Sequence, residues 1–372
     1  MFKEKYYISN SNYRFQTKTL KLIINSTKRS KTEFSVLHAY HGDCILIKTY
    51  DADGNEFVIL IDGGTAQTFR YTLKEELKTI SHINLLILTH IDSDHIAGLI
   101  NLFNNSMIAE VRIDEIWMNN PDLVEVSKGE LITWKQGDTL LNLIRKKKPE
   151  VKITQITTEN EIINKNGIEF IILSPTVEVV TELHNRWEEL RESEKKDNKT
   201  NVSSFQNSYT ISLRDLSKIP FVPDKSIKDD IFNSASISFL LKCFDISLLL
   251  LADSRPEIII QSLRARAFSE ENPLRVDYVK VSHHGSLNNT SQELLSLIKS
   301  KNYIISTNGG THRKHPSRET ISRIVYNSNR DNERLNMFFN YDLEYLKSRI
   351  GDFIHTADFE DGNWSVSNQN KF

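Results

Sequence analysis

The chain has 372 residues, 39% of them hydrophobic and 26% charged, with a formal net charge of −2. This is ordinary globular usage and excludes a disordered polymer, a fibrous repeat and a cysteine-stapled miniprotein. So nearly neutral a balance gives no whole-molecule field that would favour nucleic acid, so local patches must decide that question.

In chain order, the first segment is basic. Residues 1–31 carry Lys3, Lys5, Arg14, Lys18, Lys21, Lys28, Arg29 and Lys31 against Glu4 alone, interleaved with Tyr6, Tyr7, Tyr13 and Phe15. Such an arm can hold phosphates and stacked bases, or simply form a solvated extension. It lacks the apolar centre and cleavage site of a secretory signal. No stretch of the chain reaches the ~18 apolar residues a spanning helix needs. The expectation is a soluble, cytoplasmic protein.

Short runs rich in Ile, Val and Leu then predict strands at 34–41, 44–50, 57–61, 84–89, 112–118, 168–173, 237–242, 246–252, 276–282 and 303–306. Helical patterns fall at 68–80, 95–105, 128–148, 255–268, 291–301 and 317–328. Paired strands followed by alternating strands and helices imply sheets covered by helices. Cys44 and Cys243 lie within apolar runs and read as buried thiols. Two segments interrupt the scheme and read as insertions on one core spanning 32–372. One is about 119–165, whose helix ends in Arg145, Lys146, Lys147 and Lys148. The other is 182–232, a charged helical run followed by polar sequence that could cap a site or bind a protein partner.

The chemistry concentrates at strand ends. Residues 88–98, LTHIDSDHIAG, follow a buried strand and place four ionisable groups in six positions. In an extended segment His90, Asp92 and Asp94 alternate and can converge, and His95 opens a helix. Unless they merely cap that helix, such a group needs a compensating cation, and mixed oxygen and imidazole donors suit a divalent first-row metal. Asp253 follows the strand ISLLLLA, His283 and His284 follow VDYVKVS, and His312 and His315 follow YIIS. Ligands gather at the ends of strands in α/β folds. His312 reads as a solvated loop residue, and His38, His82, His184 and His355 read as structural. Gly63 and Gly64 read as a tight turn requiring positive φ, with Asp62 a partner to a ligand histidine.

Together these pieces resemble the metallo-β-lactamase fold hydrolases, and among them the hydrolase domain of the ComEC competence proteins, which carry HxDxDH. The matching stretches are GDCILI at 42–47, LIDGG at 60–64, LTHIDSDHIAG at 88–98, ILSP at 172–175, NSASISFLL at 233–241, LLLLAD at 248–253, VKVSHHGS at 279–286 and HPS at 315–317. The resemblance implies an αββα sandwich, an α/β fold, with a centre of two divalent ions, Zn²⁺ or Mn²⁺ with Mg²⁺ as a third option. Its ligands would be His90, Asp92, Asp94, His95, Asp253 and one or both of His283 and His284, with Asp253 bridging. Asp92 stands where most of the superfamily has His, and Asn233 stands where a further His is usual.

The function expected is a metal-dependent hydrolase, foremost a phosphodiesterase or nuclease. Asp94 would orient the attacking water, His284 or His315 would donate to the leaving oxygen, and Asn233 and Ser286 would contact substrate. The alternatives are a hydrolase of small phosphoesters, thioesters, lactones or peptides, or a regulatory subunit of a multiprotein system such as a defence system. Fold alone does not choose among them.

Overall fold

The structure is a computed structural model that describes residues 31–120, 137–193, 208–310 and 314–372. The basic arm, apart from Lys31, and His312 lie outside the described residues.

Strands β1 (Glu33–Val36), β2 (Ile45–Tyr50), β3 (Glu56–Ile61), β4 (His82–Ile87), β5 (Arg112–Trp117) and β6 (Lys152–Thr154) form one sheet in that order. The first three run antiparallel and the remainder parallel. A second sheet takes β7 (Ile162–Lys165), β8 (Ile168–Ser174), β9 (Ser238–Lys242) and β10 (Ser247–Leu250). A two-stranded pair, β11 (Leu274–Arg275) with β13 (Ile298–Lys299), stands apart. The second sheet continues through β12 (Tyr278–Lys280), β14 (Asn302–Ile305), β15 (Leu335–Phe339) and β16 (Trp364–Asn368). It too is antiparallel at one side and parallel from β10 onward.

The strands are apolar on both faces because both faces are covered, and the period of two sorts the side chains into layers. Ile45, Ile47, Ile59, Ile61, Leu85 and Ile87 meet Phe170, Phe239, Leu241, Leu248 and Leu250 between the sheets. The alternate residues Leu46, Val58, Leu60 and Leu86 face outward against the helices Ser93–Asn104 and Gly137–Lys147. On the far side Leu240, Leu249, Leu251 and Val279 pack against the helices Pro256–Ala265 and Arg318–Asn327. Four layers, helix, sheet, sheet and helix, result. The chain end ties them together: Phe372 stacks on Phe34 at 4.6 Å, and its backbone exchanges hydrogen bonds with Phe34 on β1.

All ten expected strands are present. Four others, β6, β7, β15 and β16, and the pair β11 and β13 were not expected. The expected helix 291–301 stops at Ser296, because Ile298 and Lys299 pair with Leu274 and Arg275 instead. Residues 137–165 supply a helix to the first outer layer, with Leu140, Leu141 and Ile144 buried there, and the edge strands β6 and β7. No helix among the described residues is long and apolar enough to cross a membrane. Cys44 is fully buried, Cys243 is half-buried, and both are free thiols.

Candidate metal centre

The parallel strands deliver their C-terminal ends to one edge. Asp62 follows β3, His90 follows β4, Asp253 follows β10, and His283 and His284 follow β12. The helix Ser93–Asn104 starts there with Asp92 as its N-cap, in extended conformation and without a side-chain capping bond. Asp94 and His95 therefore lie within the first helical turn, whereas the sequence placed Asp94 in the extended segment and His95 at the helix start. Helix and edge come close because Gly98 and Gly63 carry no side chains. A Cβ on Gly98 would lie 1.9 Å from the Gly63 carbonyl oxygen, so Gly63 serves close approach; of the two glycines Gly64 alone has the positive φ expected of the turn, and Asp62 before them shares it at 56°.

His283 and His284 both adopt left-handed backbone, with φ of 47° and 55°. Strain of this kind costs about 1–3 kcal/mol per residue and persists only when the surroundings impose it. Here the His283 N–H donates to the Ala252 carbonyl at 2.8 Å and the Ser282 hydroxyl donates to the Ser254 carbonyl at 2.7 Å. The Asn289 amide donates to the Asp253 carbonyl at 3.0 Å. The result is that consecutive histidines both turn toward Asp253.

Asp253 is the hub. Its Oδ2 lies 3.4 Å from His95 Nε2, 3.5 Å from His284 Nε2, 3.7 Å from His283 Nε2 and 3.8 Å from His90 Nε2. His90 also stands 3.8 Å from Asp92, and His284 Nε2 stands 3.5 Å from Asp94. Donor atoms sharing a cation at roughly 2.0–2.2 Å sit about 3–3.5 Å from one another. The buried Nε2 atoms of His90, His95 and His284 and the Oδ1 of Asp253 make no hydrogen bond in the protein. Orphaned buried atoms of this kind call for a partner. Three groups, His90 with His95 and Asp253, Asp94 with His95 and His284, and Asp43 with Asp253 and His284, each bring one donor atom per residue within 4.8 Å of the others. The residues present fit divalent ions.

The opposite ring nitrogens are engaged away from the cluster. Asp62, 1% exposed, accepts from His95 Nδ1 at 2.8 Å and from the Thr89 N–H and hydroxyl at 2.8 and 2.7 Å. His284 Nδ1 faces the Ser306 carbonyl at 3.0 Å and Asp43 at 3.5 Å, and His283 Nδ1 faces Asn289 at 3.1 Å. Such partners set the tautomer and leave Nε2 as the donor. Burial, with the charge of His95, pushes the His90 imidazole down to about 4. Desolvation opposes ionisation of Asp253, but His284, His283 and His95 hold its carboxyl well below the usual range.

Of the other expected site residues, His315 and Ser286 lie beside His283. The His315 ring is 5.5 Å from that of His283. Ser286 is buried, and its N–H donates to the His283 carbonyl at 2.8 Å. Asn233 is buried with its amide on Asp230 at 2.8 Å and its Oδ1 without a hydrogen bond. Phe232 and Ala235, flanking it, line a cavity of about 10 Å³ with His90 and Thr89, room for one water. Sequence reasoning assigned no role to Asp43, Lys280 or Asn289. The only signal was their place inside or beside the GDCILI and VKVSHHGS stretches.

Fold and cluster thus define a four-layer αββα protein with an acid and imidazole centre suited to divalent ions. Residues 39–181 match the family model of the metallo-beta-lactamase superfamily, whose members are mostly metal-dependent hydrolases. No curated protein matches the sequence. Similar solved structures include a diphosphatase from the PhnP family, with 11% identity, 92% of this chain and 97% of that one covered, and a TM-score of 0.40. Zn²⁺-bound PqqB from Methylobacterium extorquens has 12% identity, coverage of 88% and 86%, and a TM-score of 0.39. A long form RNase Z from yeast has 10% identity, coverage of 83% and 36%, and a TM-score of 0.38.

Proposed function

We propose that this protein is a phosphodiesterase acting on nucleic acid with two divalent ions. His90 and Asp92 would hold one, Asp94, His95 and His284 the other, and Asp253 would lie between them. The observation that carries the reading is the convergence of four imidazole nitrogens on one carboxylate oxygen, at 3.4–3.8 Å, with their far nitrogens already engaged. Three carboxylates stand among the donors beside the imidazoles, and such a mixed set admits Mn²⁺ or Mg²⁺ beside Zn²⁺. Such donors, with the HxDxDH motif, favour phosphodiesters among the substrates of the fold.

When bound, the ions supply Lewis acidity toward water and toward a phosphoryl oxygen. The chain's own residues do the rest. Asp94, at the helix start, orients the attacking water. His283 and His284 have Nδ1 engaged by Asn289 and Ser306 and Nε2 turned toward Asp253, so proton donation to the leaving oxygen falls to His315. Asn233, whose Oδ1 makes no hydrogen bond, would contact substrate. Ser286 would contact phosphate, and a protein partner would engage 182–232.

The test is to strip the protein with chelator, reload it with Mn²⁺, Zn²⁺ or Mg²⁺, and offer ssDNA, dsDNA, RNA, a chromogenic phosphodiester, a thioester and a lactone. Metal-dependent cleavage of nucleic acid and the diester is expected. Turnover of the thioester or lactone alone would overturn the assignment.

A further inference from the structure

Two of the motif stretches each carry a buried charge beside the centre: Asp43, whose carboxylate comes within 4.8 Å of donor atoms of Asp253 and His284, and Lys280, which is paired with it. Asp43 of GDCILI and Lys280 of VKVSHHGS are 237 positions apart, each is 2% exposed, and Lys280 Nζ donates to Asp43 Oδ2 at 2.5 Å. Lys280 is on the inter-sheet face of β12, because Val279 beside it packs outward among the helices. Asp43 comes from the loop leading into β2. Its other oxygen, Oδ1, is buried, makes no hydrogen bond and lies 3.5 Å from His284 Nδ1.

A buried ion pair is a poor device for stability alone, since well-packed apolar residues serve as well or better. Its position suggests another use. The Ser306 carbonyl and Asp43 Oδ1 both stand on the Nδ1 side of His284, and the Asp94 and Asp253 carboxylates stand on the Nε2 side. An anion behind Nδ1–H holds the proton there, resists a ring flip, and raises the basicity of Nε2. Lys280 holds Oδ2 and leaves Oδ1 facing His284 Nδ1. Resting on the metal-centre reading above, we propose that Asp43 and Lys280 form one positioning unit that fixes His284 as an Nε2 donor and so sets occupancy of the ion site it shares with Asp94 and His95.

The experiment is Zn²⁺ titration of the chelator-stripped full chain by calorimetry, with NMR of ¹⁵N-histidine in the stripped protein before metal is added. Asp43→Leu/Lys280→Met replaces the pair by neutral side chains and leaves no lone charge buried. Asp43→Asn keeps the shape and repeats the test should the double variant not fold. In both, the affinity for one of two ions is expected to fall ~10–100-fold while the other is unchanged. The single Nδ1–H form of His284 should give way to a mixture. Two ions bound with parental affinity and an unchanged tautomer, whatever the melting temperature, would show that the pair only ties the sheets together. A parent protein that takes up no divalent ion would instead overturn the metal-centre reading, and this inference with it.

Discussion

Changing Asp62 to Asn separates the roles of this carboxylate in folding and in metal binding. Asp62 accepts three hydrogen bonds, from the Thr89 N–H, the Thr89 hydroxyl and His95 Nδ1. Its charge places the His95 proton on Nδ1, so that Nε2 offers a lone pair toward Asp253, 3.4 Å away. Asparagine has one acceptor oxygen. If that oxygen serves the Thr89 N–H, the amide NH₂ faces His95, whose proton must then move to Nε2, where it blocks donation to a cation. The fold loses one charge-assisted bond, about 1.5–3 kcal/mol. Metal affinity falls ~10–100-fold, equivalent to about 1.4–2.8 kcal/mol. Asp62→Ala leaves the Thr89 N–H and His95 Nδ1–H buried without acceptors and costs about 2–6 kcal/mol, a large part of the 5–15 kcal/mol that holds a typical domain. Urea unfolding in chelator and Mn²⁺ calorimetry read the two effects separately. Parental metal affinity in Asp62→Asn, or a stability loss as large as that of the alanine variant, would refute the tautomer reasoning.

Asp253→Ala should remain folded and lose activity and at least one equivalent of bound metal, measured by elemental analysis after dialysis; unchanged metal content would place Asp253 outside the coordination shell. Asp92→His exchanges a hard oxygen for an imidazole and should shift metal preference toward Zn²⁺ and away from Mn²⁺, and an unchanged ranking in competitive titration would remove position 92 from the ligands. Arg145, Lys146 and Lys147 are exposed at a helix end, whereas Lys148 is 9% exposed, so the basic patch expected from four residues presents three charges. Changing those three to Ser should weaken binding of long nucleic acids and leave hydrolysis of a small diester unaltered. The slope of log K against log salt should become shallower by about one unit for every phosphate that the variant no longer neutralises. An intact salt slope would leave these residues the simpler role of completing the helix dipole.

Much of the fold was legible because its strands are buried on both faces and read as dense aliphatic runs. The unexpected strands explain where that signal fails. β7 reads IINK, with Ile162 58% exposed at a sheet edge, and β16 reads WSVSN, where only Trp364 is buried. Edge strands carry half the apolar pattern of central ones. The short strand Ile298–Lys299 was hidden because LLSLIK fits a helical period as well as a strand. The gathering of His90, Asp94, His95, Asp253 and His284 followed from their placement at strand ends. That Asp43 reaches Lys280 and His284 did not, because a loop residue and a strand residue 237 positions apart meet only once the two sheets are stacked. The left-handed backbone that turns both His283 and His284 inward was likewise invisible, since nothing in the residue type histidine calls for it.

The central claim is a two-ion centre arranged about Asp253. Anomalous diffraction from crystals soaked in Mn²⁺ or Zn²⁺, recorded at the metal's absorption edge, tests it most directly. Two peaks roughly 3.5–4 Å apart are predicted, on either side of Asp253 Oδ2, one beside His90 and Asp92 and the other beside Asp94, His95 and His284. A map with no peak within coordination distance of Asp253, at metal concentrations that saturate binding in solution, would contradict the account.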